Sequence, residues 1–232
     1  MFKNFGHFSF IPETTFIKNS IWNSKSKIIE SDIYYIKDPY IERGEGITIL
    51  KSISEIEEFS NKHPKKIFIV QPRIKNLLLY NGRKFDLRIY VVLCMNTNNN
   101  VWIRIYKNGI CRINKYFYDI NNPESLLTNT SLFIKNTNYN ELVKYFNKKY
   151  ENYFKLMPKV IKVLYNFFKE SKFKFNNNKE VIIYGFDFIF NNDLKCFLLE
   201  VNSNPSIRKQ KFHNDFIENI IISCHKPLLL NN

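Results

Sequence analysis

Apolar and polar residues alternate along several short stretches of this chain, and elsewhere they recur at helical spacing. Residues 31–38, SDIYYIKD, and 65–72, KKIFIVQP, read as strands, and 41–50, IERGEGITIL, as a glycine-containing turn leading into a third. Ser54, followed three residues later by Glu57, has the form of a capping box and predicts a short helix over 54–63. Residues 1–30 are aromatic and irregular, and Pro12 argues against a long element there.

Beyond a turn at Asn81-Gly82, residues 83–95 form a long strand in which Lys84, Asp86 and Arg88 alternate with Phe85, Leu87 and Ile89. One face is apolar and the other is charged plus, minus, plus, a pattern that a solvated edge strand would also show. Residues 101–116 read as a hairpin folded at Asn108-Gly109, and 139–173 as two helices separated at Pro158. A second hairpin joins 180–190 to 195–203 across Asn192-Asp193, and a last helix follows Pro205. No internal repeat is visible, and the mixture of strands and helices predicts an α+β fold. Its expected parts are an N-terminal segment 1–30, a small lobe 31–80 and a larger lobe 81–232.

The second hairpin carries the first candidate chemistry. With a two-residue turn, residue 191 faces 194, Asp187 faces Leu198, and Glu200 is the diagonal neighbour of Asp187. Asp187, Leu198, Glu200 and Asn202 then project from one face. Two carboxylates so close repel one another, and apolar flanks offer them little solvation. A divalent cation would relieve both problems, and oxygen donors from carboxylates and an amide suit Mg²⁺. Ion pairs to some of the 35 basic residues would do so equally well.

Around the first strands, Gln71 and the apolar segment after it can accept an adenine ring, and the ERGEG turn with Lys37 can approach phosphates. The formal charge of +14 points to an anionic partner. With 44% hydrophobic residues, including 22 Phe and 14 Tyr, the 232-residue chain can fill a core. Cys94, Cys111, Cys196 and Cys224 form no CxxC pair, so neither a zinc site nor a disulfide framework is indicated. No stretch approaches the roughly 18 apolar residues that span a bilayer, and the expected location is the cytoplasm. Asparagine runs at 98–100 and 176–178 read as coding bias, so single Asn and Lys residues carry little weight.

Taken in order, the segments FSFIPETTFI, YIKDPYIERGEGITIL, IVQPRIKNLLLYNGRKFDLRIYVVL, YKNGICR, LLTNTSL and YGFDFIFNNDLKCFLLEVNSNPS resemble the tubulin tyrosine ligase-like family of the ATP-grasp superfamily. The likeness spans roughly residues 8 to 207. It implies two α+β lobes with ATP between them and Mg²⁺ held by Asp187, Glu200 and Asn202. It implies that Lys37 and the Arg43-Gly44 turn meet phosphate, that Gln71, Pro72, Arg73 and Ile74 border the adenine, and that Lys84 and Asp86 line the nucleotide site. Thr128 and Asn129 match the family's TN element, and Arg88 and Arg112 match arginines that face the acceptor or the incoming amino acid. The chain departs from the family where Leu126 replaces a histidine, Thr130 a tyrosine, Arg73 an aromatic residue and Asn76 a proline. Near the C-terminus Glu218 and Asn219 stand where a lysine is expected, and the expectation is a shortened member without the N-terminal domain of many others.

The function so implied is ATP-dependent ligation of a free amino acid to a protein carboxylate, on the acidic tail of tubulin or of another protein. A catalytically silent module that holds acidic tails or microtubules is the alternative; the altered LLTN element favours it, and the intact Asp187, Glu200 and Asn202 set argues against it. Nucleic acid is disfavoured as a partner, because helical spacing makes most aromatics around 144–174 core.

Overall fold

In the computed structural model, residues 8–24, 28–41, 45–95, 101–128, 133–138, 156–170, 180–205 and 217–218 are described. The fold is α+β, with ten strands, two α-helices and a 3₁₀ turn among them. The chain folds into two compact units. The first comprises Met1–Phe85, Arg112–Lys135 and Ile189–Phe197, and the second Asp86–Cys111, Asn136–Phe188 and Leu198–Asn232.

The first unit is built on an antiparallel sheet ordered β2-β1-β5-β3-β4: β1 is Thr15–Lys18, β2 Ile21–Trp22, β3 Tyr34–Lys37, β4 Ile47–Leu50 and β5 Ile67–Pro72. Strands β1 and β2 form a short hairpin inside the segment expected to be irregular. Pro12 excludes a long element, and the left-handed Asn19 and Ser20 make the turn. One face of the sheet buries Ile17, Tyr34, Ile36, Phe68 and Val70 together with Ile56 from helix α1, Ile53–Asn61. The other face is half-buried and carries Tyr35, Lys37, Ile47, Ile49, Ile69 and Gln71. Tyr35 sits opposite Gln71 and Ile49, and Lys37 opposite Ile69 and Ile47.

The cap of helix α1, Ser52, lies two residues before the expected one. Ser52 accepts from the Glu55 amide at 3.1 Å, while Glu55 Oε2 accepts from the Lys51 amide at 2.7 Å. The stretch SISEIEEF contains two Ser-x-x-Glu pairs, and the earlier one lets Ile53 join the helix and pack on the core. Glu57 instead accepts from Trp22 Nε1 at 3.2 Å.

The second sheet runs β10-β9-β6-β7-β8, with β6 Phe85–Met95, β7 Val101–Asn114, β8 Phe133–Asn138, β9 Glu180–Phe190 and β10 Cys196–Asn202. Strand β6 is central rather than an edge, and its alternation is real: Phe85, Leu87 and Ile89 are fully buried. Helix α2, Leu156–Glu170, buries Met157, Val160, Leu164 and Phe167, and the Phe167 ring meets that of Phe186 edge-on at 5.3 Å. Pro158 lies within the first turn of α2, where no intrahelical N–H is lost, so it does not end a helix there. The first of the two expected helices lies outside the described residues, as does the helix after Pro205 except for the helical pair 217–218.

Two Asn-Gly pairs behave differently. At Asn81-Gly82 both residues have positive φ, 48° and 69°, and Tyr80 and Arg83 exchange two backbone hydrogen bonds of 2.9 Å, a tight two-residue hairpin. At Asn108-Gly109 there is no turn: β7 runs straight through. A Cβ on Gly109 would lie 2.5 Å from the Arg88 carbonyl oxygen, so this glycine permits close strand packing rather than a reversal.

The turn between β9 and β10 also differs from expectation. The Leu194 amide donates to Asn191 O at 2.9 Å, the Asn191 amide donates to Lys195 O at 3.2 Å, and Leu194 has φ 58°. The hairpin is therefore a three-residue loop with a bulge, and Asn191 faces Lys195 instead of residue 194. Among the described residues no helix is long and apolar enough to cross a membrane.

Candidate functional site

Two groups of polar side chains stand out, one in each unit. In the second unit, Arg88 sits directly opposite Asp187 on β6 and β9. Arg88 Nε donates to Asp187 Oδ1 and Arg88 Nη2 to Asp187 Oδ2, both at 2.6 Å, a planar two-point fork. Arg88 Nη2 is also 3.6 Å from Glu200 Oε1, which accepts from Asn202 Nδ2 at 2.9 Å. The side chain of Asp187 is 2% exposed, that of Arg88 13% and that of Glu200 50%.

Asp187, Glu200 and Asn202 thus converge, although the turn register differs by one residue from the expected one. With Asn191 facing Lys195, strict alternation would send Glu200 to the other side of the sheet. Its carboxylate nonetheless comes within 3.6 Å of Arg88 Nη2. The fork also answers the charge problem posed by the sequence: a basic residue offsets the two carboxylates, and that residue is Arg88.

Gly185 makes the arrangement possible. A Cβ there would lie 2.8 Å from Pro205 Cβ and 3.3 Å from Arg88 Nε, so any side chain would press on the guanidinium. Gly185 is absent from the candidates drawn from the sequence, although an isolated glycine within a strand pattern is the signal for such an approach.

In the first unit, Lys84 is buried, and its ammonium donates to the Leu126 carbonyl at 2.5 Å while lying 5.1 Å from the centre of the Tyr35 ring. Tyr35 donates to the same carbonyl at 3.4 Å, and burial pushes its phenol up to about 12, so the hydroxyl keeps its proton. Gln71, also buried, donates to Thr14 Oγ1 at 2.8 Å. Next to Thr14, one carboxylate oxygen of Glu13 is buried with no hydrogen-bond partner, and desolvation raises that carboxyl above its usual range.

Lys37 projects from the same half-buried face as Tyr35 and Gln71. Pro72 ends β5 opposite Tyr34, and Ile74 is half-buried beyond it. Arg73 is tied down: Nε and Nη2 fork onto Asp32 at 3.0 and 2.6 Å, and Nη1 donates to Tyr118 Oη at 3.2 Å. The hydrogen bonds from Arg73 hold the Asp32 carboxyl below the ordinary carboxylate range. Asp86 is buried on β6, and Arg112 and Thr128 are half-buried. Arg43, Gly44 and Asn129 lie outside the described residues.

The loop that supplies the Leu126 carbonyl rests on Asn114, which is fully buried at the end of β7. Discounting single asparagines hid it; its place at the end of an apolar strand, ICRIN, was the available signal.

The family model for the tubulin-tyrosine ligase family matches residues 6–182 and 156–228. The chain belongs to that family. Among curated members it is similar to Tubulin glycylase 3F of Tetrahymena thermophila, 26% identical over 82% of this chain and 23% of the relative. It is also similar to Probable tubulin polyglutamylase ttll-9 of Caenorhabditis elegans, 25% identical over 86% of this chain and 53% of that protein. A third, Probable tubulin polyglutamylase TTLL9 of Mus musculus, is 29% identical over 62% of this chain and 34% of the relative. The chain thus spans between about a quarter and about half of the length of these family members.

The donor set fits a hard divalent cation. Asp187 and Glu200 carry carboxylate oxygens and Asn202 a side-chain amide oxygen; both oxygens of Asp187 accept from Arg88, so an ion bound there would share them with the guanidinium. Among the described residues no group of three His, Cys, Asp or Glu side chains could hold a metal, so the amide is essential to such a site.

Proposed function

We propose that this protein is an ATP-grasp ligase that joins a free amino acid to a carboxylate on the acidic tail of tubulin or of a similarly acidic protein, acting in the cytoplasm on microtubules. The observation that carries this reading is the gathering of Asp187 and Glu200 about Arg88, with Asn202 bonded to Glu200. Family membership and the names of its relatives, tubulin glycylases and polyglutamylases, support it.

In the first unit, the apolar face bearing Tyr35 and Gln71 would receive the adenine end of ATP, with Pro72 to Ile74 beside it, while Lys37, Arg43, Gly44 and Lys84 would offer charge or backbone N–H groups to the phosphates; Thr128 and Asn129 belong to the same reading as nucleotide-site residues. In the second unit, Asp187, Glu200 and Asn202 would hold Mg²⁺, and Asp86 on β6 would line the nucleotide site. The ion supplies charge neutralisation on the phosphate oxygens when bound.

The acceptor carboxylate attacks the γ-phosphorus, releasing ADP and forming an acyl-phosphate. The amine of the incoming amino acid then adds to the acyl carbon, phosphate leaves, and an amide bond remains after loss of a proton. Arg88 and Arg112 orient the acceptor and the amino acid and offset the oxyanion that develops on addition. Arg88 is held in its rotamer by Asp187, so its orientation is set before substrate arrives. The net charge of +14 draws a polyacidic tail toward the protein and makes its binding fall with salt.

Incubation with Mg²⁺, ATP, tubulin and radiolabelled glutamate, glycine or tyrosine in turn tests the proposal. Label in the tubulin band with one of the three, lost in Glu200→Gln, is the expected result. ATP binding without label in any lane would instead identify a silent module that holds acidic tails.

A further inference from the structure

We infer that Asn114 is a positioning residue of the nucleotide site, setting the Lys84 ammonium from both of its ends. The inference rests on the nucleotide reading above and adds to it a residue that touches no substrate.

The geometry is closed on every side. Asn114 is fully buried, and its backbone N–H donates to the Lys84 carbonyl at 2.9 Å, fixing the main chain of that lysine. Its side-chain amide donates to the Glu124 carbonyl at 2.7 Å and to the Leu127 carbonyl at 2.5 Å. Leu126, whose carbonyl receives the Lys84 ammonium at 2.5 Å, lies between those two pinned residues. The amide oxygen of Asn114 accepts from the Tyr116 amide at 2.7 Å, so its donors and acceptor are all committed. Asn114 therefore holds the strand that carries the lysine through its backbone and the loop that holds its tip through its side chain.

The loop has a second pin. Ser125, also fully buried, donates its hydroxyl to the Asp119 carbonyl at 2.7 Å or the Asn122 carbonyl at 2.9 Å and accepts from the Asp119 amide at 3.0 Å. The 3₁₀ turn Pro123–Leu126 is thereby clamped on two sides, and Thr128 follows directly on the residue that Asn114 holds. A buried hydrogen bond to a charged group is held against water only while both partners stay in place. Without the clamp, the Leu126 carbonyl drifts and the ammonium loses its fixed point.

A double-mutant cycle on binding of a non-hydrolysable Mg–ATP analogue tests this, with thermal midpoints recorded alongside. Lys84→Met is expected to weaken binding about tenfold or more, as the loss of a charge-assisted phosphate contact should. Asn114→Ala should weaken it by a similar factor, and the double variant should be no weaker than Lys84→Met alone, because both act through one ammonium. Ser125→Ala, a smaller change from the other side of the loop, should show the same masking and serves if Asn114→Ala does not fold. Losses that multiply, or Asn114 and Ser125 variants that melt earlier but bind as the wild type does, overturn the inference while leaving the nucleotide reading intact. A wild-type protein that does not bind the analogue sinks both.

Discussion

The two units each hold an arginine in a two-point fork with an aspartate, and the forks have nearly the same geometry in different surroundings. Arg73 meets Asp32 at 3.0 and 2.6 Å, and Arg88 meets Asp187 at 2.6 Å twice. Asp32 is 44% exposed, Asp187 only 2%. In the first case water reaches the carboxylate, and Arg73 has Tyr118 as a second partner. In the second, removing one partner strands a charge inside the sheet. Geometry alone does not set the worth of an ion pair; the solvent each partner would regain does.

Breaking the buried fork should have the largest effect. Asp187→Ala is expected to cost about 3–5 kcal/mol in urea unfolding, and replacing both partners by Arg88→Met with Asp187→Leu to return much of it. A loss below about 1 kcal/mol for Asp187→Ala would mean that Arg88 finds water, contrary to its burial. Next comes Gly185→Ala, whose methyl must displace Pro205 or the Arg88 side chain, at about 1–3 kcal/mol. If chemical-shift changes in that variant leave the Arg88 Nε–H signal untouched, the close approach at Gly185 is not what seats the guanidinium.

The exposed fork should respond weakly. Asp32→Ala is expected to cost less than about 1 kcal/mol, because its carboxylate is partly in water and Arg73 keeps its bond to Tyr118. Its pH signature is nevertheless defined. Arg73 depresses the folded carboxyl below its unfolded value, so the contribution is fully present above that unfolded value, near pH 4, and disappears as pH falls through the lower folded one. Urea midpoints of wild type and Asp32→Ala should therefore differ slightly at pH 6 and converge toward pH 2; a gap that widens on acidification would reverse the assignment.

Much of this comparison was legible in part. Alternation placed Arg88 on a polar face and Phe85, Leu87 and Ile89 on an apolar one, and the buried set agrees. The pairing of Asp32 with Arg73, 41 residues apart, left no local trace, since it depends on where the chain returns. The same cause separates the two Asn-Gly pairs. Both have the residues for a primed turn, but Gly109 packs against the backbone of Arg88, and that contact is invisible from one strand alone. The β9–β10 loop was misjudged by one residue because Leu194, a poor left-handed residue, gives no warning that it will adopt φ 58°. Asn114 was lost to composition, because an abundant residue type hides its one committed member among many that are not.

The most direct measurement is calorimetric titration of a non-hydrolysable ATP analogue into wild type and Glu200→Gln, with Mg²⁺ present and with it chelated. Glu200 is half-exposed, so the substitution should leave the fold intact. The account predicts that wild-type affinity falls by about tenfold or more on chelation and that Glu200→Gln loses most of this dependence, as removal of a carboxylate from an oxygen-donor cation site should cause. Equal affinity in all four titrations would contradict it.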